Sequence, residues 1–313
     1  MTAVRKLQRD VFIDVIYEAA CKDKDVIFVS CDLGAAALDR FREELPDQFL
    51  HTGISEQNMI DTVCGLAMAG KKVFCYAMAC FLTSRCFEQI KCSLGILQQP
   101  VTLVGVGVGL GYDNAGPTHY SVEDIACLRT IPGMEVFSPA DTEATASIAS
   151  LCLENPALRY VRLERPYLSD VYRHGFQQAQ KDGFGILRGE GSVALVSSGL
   201  MVHKCLDAAE ELDSQGQKVA VIDLFRVKPI NKKALCELLE KYDGIVTVEE
   251  QWLSGGMGSA VLEVMADVGL SKPVKRLGLP ENFLFENGGR DYLHEKYGPN
   301  TKQILSAVRT FSL

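Results

Sequence analysis

The chain of 313 residues is expected to fold as α/β, in two successive domains with mainly parallel sheets flanked by helices. Three observations predict this. Short continuous apolar runs such as Val26-Ile-Phe-Val-Ser and Val101-Thr-Leu-Val-Gly read as strands buried on both faces, which is the habit of parallel sheets. They alternate with longer stretches whose apolar residues recur at helical spacing. The alternation stops in the polar, aperiodic stretch Pro166–Gly183 and then restarts. This places the junction between a first domain over 1–175 and a second over 184–313.

The elements follow in order. Val11, Phe12, Val15, Ile16 and Ala19 give helical spacing from Leu7 to Cys21, and Val26–Ser30 is a strand ending near Asp32. Ser55-Glu-Gln-Asn opens a long helix to Gly70, followed by a strand at Val73–Ala77 and a helix over Thr83–Ser93. The strand Val101–Gly105 runs into a Gly-rich loop through His119, then a helix over Ser121–Thr130 and a strand at Glu135–Phe137. Asp141 suits the N-cap of a helix to Glu154, and Arg159–Leu163 is the next strand. After the junction, strands are expected at Ser192–Ser198, Val219–Leu224 and Ile245–Glu249. Helices are expected over Met201–Ser214, Lys232–Tyr242, Gly256–Asp267 and Thr301–Val308.

Composition excludes several functions. The net charge is −8, and no Lys/Arg cluster offers the basic face that nucleic acid requires. None of the eleven cysteines forms Cys-x-x-Cys, so they read as small buried hydrophobes in a reducing compartment rather than as zinc ligands. The start of the chain is polar and amphipathic, unlike a signal peptide, and no apolar run reaches membrane-spanning length. A cytoplasmic location is expected.

Parallel α/β sheets bind ligands at the loops that follow strand C-termini. The segments Asp32–Ala36, His51–Glu56 and Gly105–His119 fall at such places. Glu56 opens a helix, where a carboxylate is ordinarily a dipole partner for exposed N–H groups. Its neighbours Ile54, Met59, Ile60 and Val63 are apolar, and a carboxyl held among such groups exchanges a proton nearer neutrality. Gly105, Gly107, Gly109 and Gly111 alternate, which does not make Gly-x-Gly-x-x-Gly; a close backbone approach to a ligand, or a tight loop, fits them. His119 follows in a polar turn and is a candidate acid/base. Phe81 is either core or a ligand contact. Arg162 and Arg165, at a strand end, suit either an anion or a local acid such as Glu164.

Taken together, Gly53-Ile-Ser-Glu-Gln-Asn, Gly116-Pro-Thr-His, Leu128-Arg-Thr-Ile-Pro, Ser138-Pro-Ala-Asp, Val248-Glu-Glu-Gln…Gly255-Gly-Met-Gly-Ser and Gly278-Leu-Pro…Tyr292-Leu…Tyr297-Gly-Pro resemble the pyrimidine-binding and C-terminal domains of transketolases. The likeness covers nearly the whole chain and is greatest to the C-terminal subunit of split transketolases. It implies transfer of a two-carbon ketol unit from a ketose to an aldose, with thiamine diphosphate and Mg²⁺ as cofactors. Glu56 would hydrogen-bond the aminopyrimidine ring nitrogen, Phe81 would stack on that ring, and Ile54 would join these cofactor contacts. His119 would meet the sugar's carbonyl or hydroxyl groups, with Asp113, Asp32, Arg165 and Arg5 on the substrate side. The loop Tyr112-Asp-Asn-Ala is longer than the family's usual form. The family's phosphate-binding serine falls at Ala36 and its phosphate-binding histidine near Gly105, which points away from pentose 5-phosphates and towards a sulfonated, nucleotide-linked or branched sugar. The chain holds no Gly-Asp-Gly, the motif with which the family binds Mg²⁺ and diphosphate. No metal ligand is therefore assigned to it, and an N-terminal, diphosphate-binding partner subunit in an α2β2 assembly is implied. The rival readings are a 1-deoxyxylulose-5-phosphate synthase or 2-oxo acid dehydrogenase component, and a non-catalytic scaffold subunit.

Overall fold

The computed structural model describes residues 6–31, 34–172 and 175–311. Arg5 and Asp32 lie outside the described residues. Twelve strands are present among those described: β1 (Val26–Ser30), β2 (Phe49–His51), β3 (Lys72–Met78), β4 (Val101–Val106), β5 (Glu135–Phe137), β6 (Arg159–Leu163), β7 (Gly185–Arg188), β8 (Val193–Ser197), β9 (Ala220–Asp223), β10 (Arg226–Lys228), β11 (Gly244–Trp252) and β12 (Val274–Leu279). They form two sheets, ordered β10-β5-β6-β4-β3-β1-β2 and β12-β11-β8-β9-β7. Every pairing is parallel except β10 on β5 and β7 on β9, each at a sheet edge. The fully buried runs β1, β4, β6, β8 and β9 match the doubly covered strands expected from their apolar sequences.

Several elements differ from the sequence expectation. The helix expected over Thr83–Ser93 is broken into short turns at Ala79–Thr83 and Phe87–Gln89, followed by a π-helical stretch at Ile90–Ile96. The Cys86 Sγ donates to the Phe81 carbonyl at 3.3 Å, drawing off an acceptor that a continuous helix would use. Strand β12 was not legible because an edge strand carrying Lys275 and Arg276 lacks a clean apolar pattern. The junction Pro166–Gly183 is not a free linker. Phe176 is fully buried, its ring centroid 4.5 Å from Phe225 and 4.8 Å from Tyr172. Strand β10, from beyond the junction, completes the first sheet, so the two sheets share chain as well as core.

A buried ionic network closes the seam between the sheets. The Arg290 guanidinium donates to Glu164 Oε2 at 2.8 Å and to Glu250 Oε1 at 2.7 Å. Glu250 also faces His294 Nε2 at 2.5 Å and accepts from the Leu110 N–H at 3.0 Å. Burial opposes ionisation of Glu250, but Arg290 and His294 outweigh it and hold the carboxyl well below its usual range. Through Leu110 the network fixes the Gly-rich loop after β4. Gly109 has φ +59°, and the Glu250 carboxylate occupies the place a Cβ would take. The alternating glycines therefore serve a tight loop packed against the protein's own side chains.

Candidate active site

Segments at the C-terminal ends of four strands, β1, β2, β3 and β4, converge on one cavity of about 300 Å³, lined by Cys31, Ile54, Glu56, Ala77, Met78, Phe81, Arg85 and His119. Each side chain is placed by local backbone chemistry. After β2 the Thr52 N–H donates to the Ser30 carbonyl at 2.9 Å, and Gly53 turns the chain with φ +71°. The Ser55 hydroxyl donates to the Thr52 carbonyl at 2.7 Å. Glu56 then begins the helix Glu56–Met68 at 6 % exposure, while Ile54 is thrown outwards at 76 %. Phe81 sits in the short turn directly after β3, and His119 lies in the loop after β4. The His119 Nδ1 pairs with the Thr118 hydroxyl at 2.8 Å, which leaves Nε2 as the nitrogen free for a ligand among the described residues.

The side chains form a contact series. The Arg85 Nη1 donates to Glu56 Oε2 at 2.7 Å. The same guanidinium lies 4.0 Å over the Phe81 ring. Phe81 meets His119 edge-on at 5.2 Å, and His119 lies 6.5 Å from Tyr112. Tyr112 in turn carries the Arg165 guanidinium 4.7 Å above its ring.

This geometry gathers Glu56, Ile54, Phe81 and His119 and leaves other candidates elsewhere. The Asp113 carboxylate accepts from the Arg290 backbone N–H at 2.8 Å, tying its loop to the second half of the chain. Arg162 is turned inwards: it donates to both oxygens of Asp124, at 2.7 and 3.2 Å, and to the Ser138 hydroxyl at 2.9 Å. It therefore grips a buried acid and not a ligand. Arg165 stays exposed, and Glu164, its suggested local partner, belongs to Arg290. The expectation that Glu56 has only apolar neighbours is corrected by Arg85. The spacing of four residues between Phe81 and Arg85, as on one helix face, was the available signal.

The arrangement suits a flat heteroaromatic ring, since an aromatic face and a buried carboxylate line the same cavity. Arg85 occupies both at present, which shows that a planar N–H donor fits between them. Among the described residues, no three His, Cys, Asp or Glu side chains cluster as a metal would need.

Fold and cavity together define the class: a mainly parallel α/β chain that offers a carboxylate, an aromatic ring and a histidine in the segments after β2, β3 and β4. Residues 7–169 match the family model of the transketolase pyrimidine binding domain, and residues 183–304 that of the transketolase C-terminal domain. The chain belongs to the transketolase family, and in extent it corresponds to the C-terminal subunit of a split, two-chain transketolase. It is 34% identical over 312 residues to one subunit of the apulose-4-phosphate transketolase of Phocaeicola vulgatus, covering 97% of this chain and 96% of that protein. It is 32% identical to the 6-deoxy-6-sulfo-D-fructose transketolase subunit SqwH of Clostridium sp., covering 96% and 92%. A solved structure described as a split gene transketolase, inactive beta4 tetramer, superposes with a TM-score of 0.86 at 30% identity, covering 97% of this chain and 98% of that one.

Proposed function

We propose that this chain is the catalytic C-terminal subunit of a thiamine diphosphate-dependent transketolase that works in the cytoplasm, assembled as α2β2 with an N-terminal subunit holding Mg²⁺ and the diphosphate. The observation that carries the reading is the placing of Glu56, Phe81 and His119 around one cavity at the strand ends. When bound, thiamine diphosphate supplies the reactive carbon at which a ketose is cleaved. Glu56 holds and moves the proton at the aminopyrimidine ring nitrogen, from a site shielded from water. Phe81 and Ile54 supply apolar contact to the ring, and His119 Nε2 hydrogen-bonds the sugar's carbonyl or hydroxyl oxygen. The dependence on a partner is supported by the structural neighbour, whose four-β assembly is described as inactive.

The substrate is a ketose donor and an aldose acceptor with an anionic or branched character. The two relatives are named for apulose-4-phosphate and for 6-deoxy-6-sulfo-D-fructose. Among the described residues, exposed Arg165 is the cation assigned to an anionic group; Arg5 is assigned to it from the family resemblance alone. The reading is tested with Glu56→Gln in the assembled enzyme. Ketol transfer should fall by about 10²- to 10⁴-fold while circular dichroism and subunit assembly stay unchanged. Near-normal transfer would remove Glu56 from the proton path.

A further inference from the structure

The longer loop after β4 carries a side chain that the proposed chemistry does not use. Gly107 has φ +77°, and the Tyr112 ring lies where a side chain at 107 would begin. At Gly105 the same space is filled by the Tyr160 ring and hydroxyl, 2.7 and 2.8 Å from the Cβ position. Neither Gly105, in β4, nor Gly107, just after it, has room for a side chain of its own, and at Gly107 the Tyr112 ring takes that room.

The loop is built to hold Tyr112 still. The Gly111 N–H donates to the Val108 carbonyl at 3.0 Å and the Ala115 N–H to the Tyr112 carbonyl at 2.9 Å. Asp113 is anchored on the Arg290 N–H at 2.8 Å, and the Tyr120 hydroxyl donates to the Asp113 carbonyl at 3.3 Å. Tyr112 lies near two groups, its ring centroid 6.5 Å from that of His119 and 4.7 Å from the Arg165 guanidinium that lies over it. One Arg165 N–H goes to the Gly111 carbonyl at 3.4 Å, leaving the rest of the fork. The Tyr112 hydroxyl has no hydrogen bond among the described residues, and burial raises its pKa, so it remains a neutral donor.

We infer that Tyr112 is a specificity-determining residue of the acceptor end: its hydroxyl and the Arg165 guanidinium together bind the anionic terminus, phosphate or sulfonate, of an aldose whose carbonyl end lies at His119. The inference rests on the ketol-transfer reading, because it takes His119 as the carbonyl end. A phenol beside a guanidinium suits a tetrahedral oxyanion, with one oxygen taking the O–H and others the N–H fork.

The test uses acceptor analogues that lack the reacting carbonyl, so it does not depend on turnover. Ribitol 5-phosphate, its 5-deoxy-5-sulfonate counterpart and neutral ribitol are titrated calorimetrically into the assembled enzyme and its Tyr112→Phe variant. Tyr112→Phe keeps the ring and removes the hydroxyl. The expected result is roughly tenfold weaker binding of the anionic analogues, with ribitol unaffected. A loss confined to one of the two anions supports the inference and identifies the terminus. Equal binding of all three by both proteins, an equal loss for ribitol, or no binding to the parent enzyme would overturn it. If the analogues behave as expected while no ketose is cleaved, the ketol-transfer reading fails and the anion site stands.

Discussion

Arg85 holds Glu56 through a 2.7 Å ion pair while its flat face covers the Phe81 ring at 4.0 Å. One guanidinium thus engages both groups assigned to the aminopyrimidine. A half-exposed ion pair and a surface cation–π contact together contribute about 1–2 kcal/mol, which a cofactor competing for the same groups must displace. Arg85→Ala should therefore tighten thiamine diphosphate binding by roughly five- to thirtyfold in the assembled enzyme. Unchanged or weaker binding in a fluorescence titration would mean that Arg85 keeps its place beside the bound cofactor and supports Glu56.

The isolated chain is expected to bind thiamine diphosphate weakly. The cavity offers apolar and carboxylate contacts for a ring but no counter-charge for a diphosphate among its lining residues apart from Arg85. Calorimetry on the chain alone should show little heat, with binding restored when the partner subunit and Mg²⁺ are added. Tight Mg²⁺-dependent binding to the chain alone would place the whole cofactor site here.

The Arg290 network predicts a stability effect away from the cavity. Arg290→Met takes the guanidinium from the buried carboxylates of Glu164 and Glu250 and leaves Glu250 only His294, a change that costs about 3–5 kcal/mol. Thermal unfolding should shift down by roughly 10 °C for a chain of this size. The pH dependence has a definite sign. Glu250 is held below its ordinary range in the fold, so its contribution is present above the unfolded carboxylate range and is lost as pH falls. An unchanged melting temperature would show that the seam between the sheets is held by apolar packing alone.

Asp223 gives the opposite sign. Its carboxyl is fully buried, accepts the Tyr172 hydroxyl at 2.7 Å on one oxygen and has no partner on the other. Burial pushes its pKa well above the usual value, so the stability that goes with the protonated group is present at low pH and lost as pH rises. Asp223→Asn keeps the bond from Tyr172 and removes the charge. The variant should melt higher than the parent at pH 8, with the difference vanishing below about pH 4. A variant less stable at both pH values would show that Asp223 acts as a necessary anion.

Much of the fold was legible from local pattern. Runs such as Val26–Ser30, Glu135–Phe137 and Arg159–Leu163 are strands at the bounds that apolar continuity predicted. Asp141 caps its helix by accepting the Ala144 N–H at 2.8 Å. Such features depend on neighbours within a few residues, so the sequence carries them directly. Glu56, Phe81 and His119 are candidates from the sequence, and the structure brings all three into the lining of one cavity.

What the sequence by itself determined is therefore most of the order of strands and helices, the family, and the loops in which the candidate residues fall. Only the tertiary structure decided how charges are shared among those loops. Arg85 reaches Glu56 across 29 residues, Arg162 turns to Asp124 across 38, and Arg290 takes Glu164 across 126. The physical reason is that a buried charge must find a counter-charge wherever the packed chain provides one. Local spacing fixes which face a side chain lies on, and long-range packing fixes its partner.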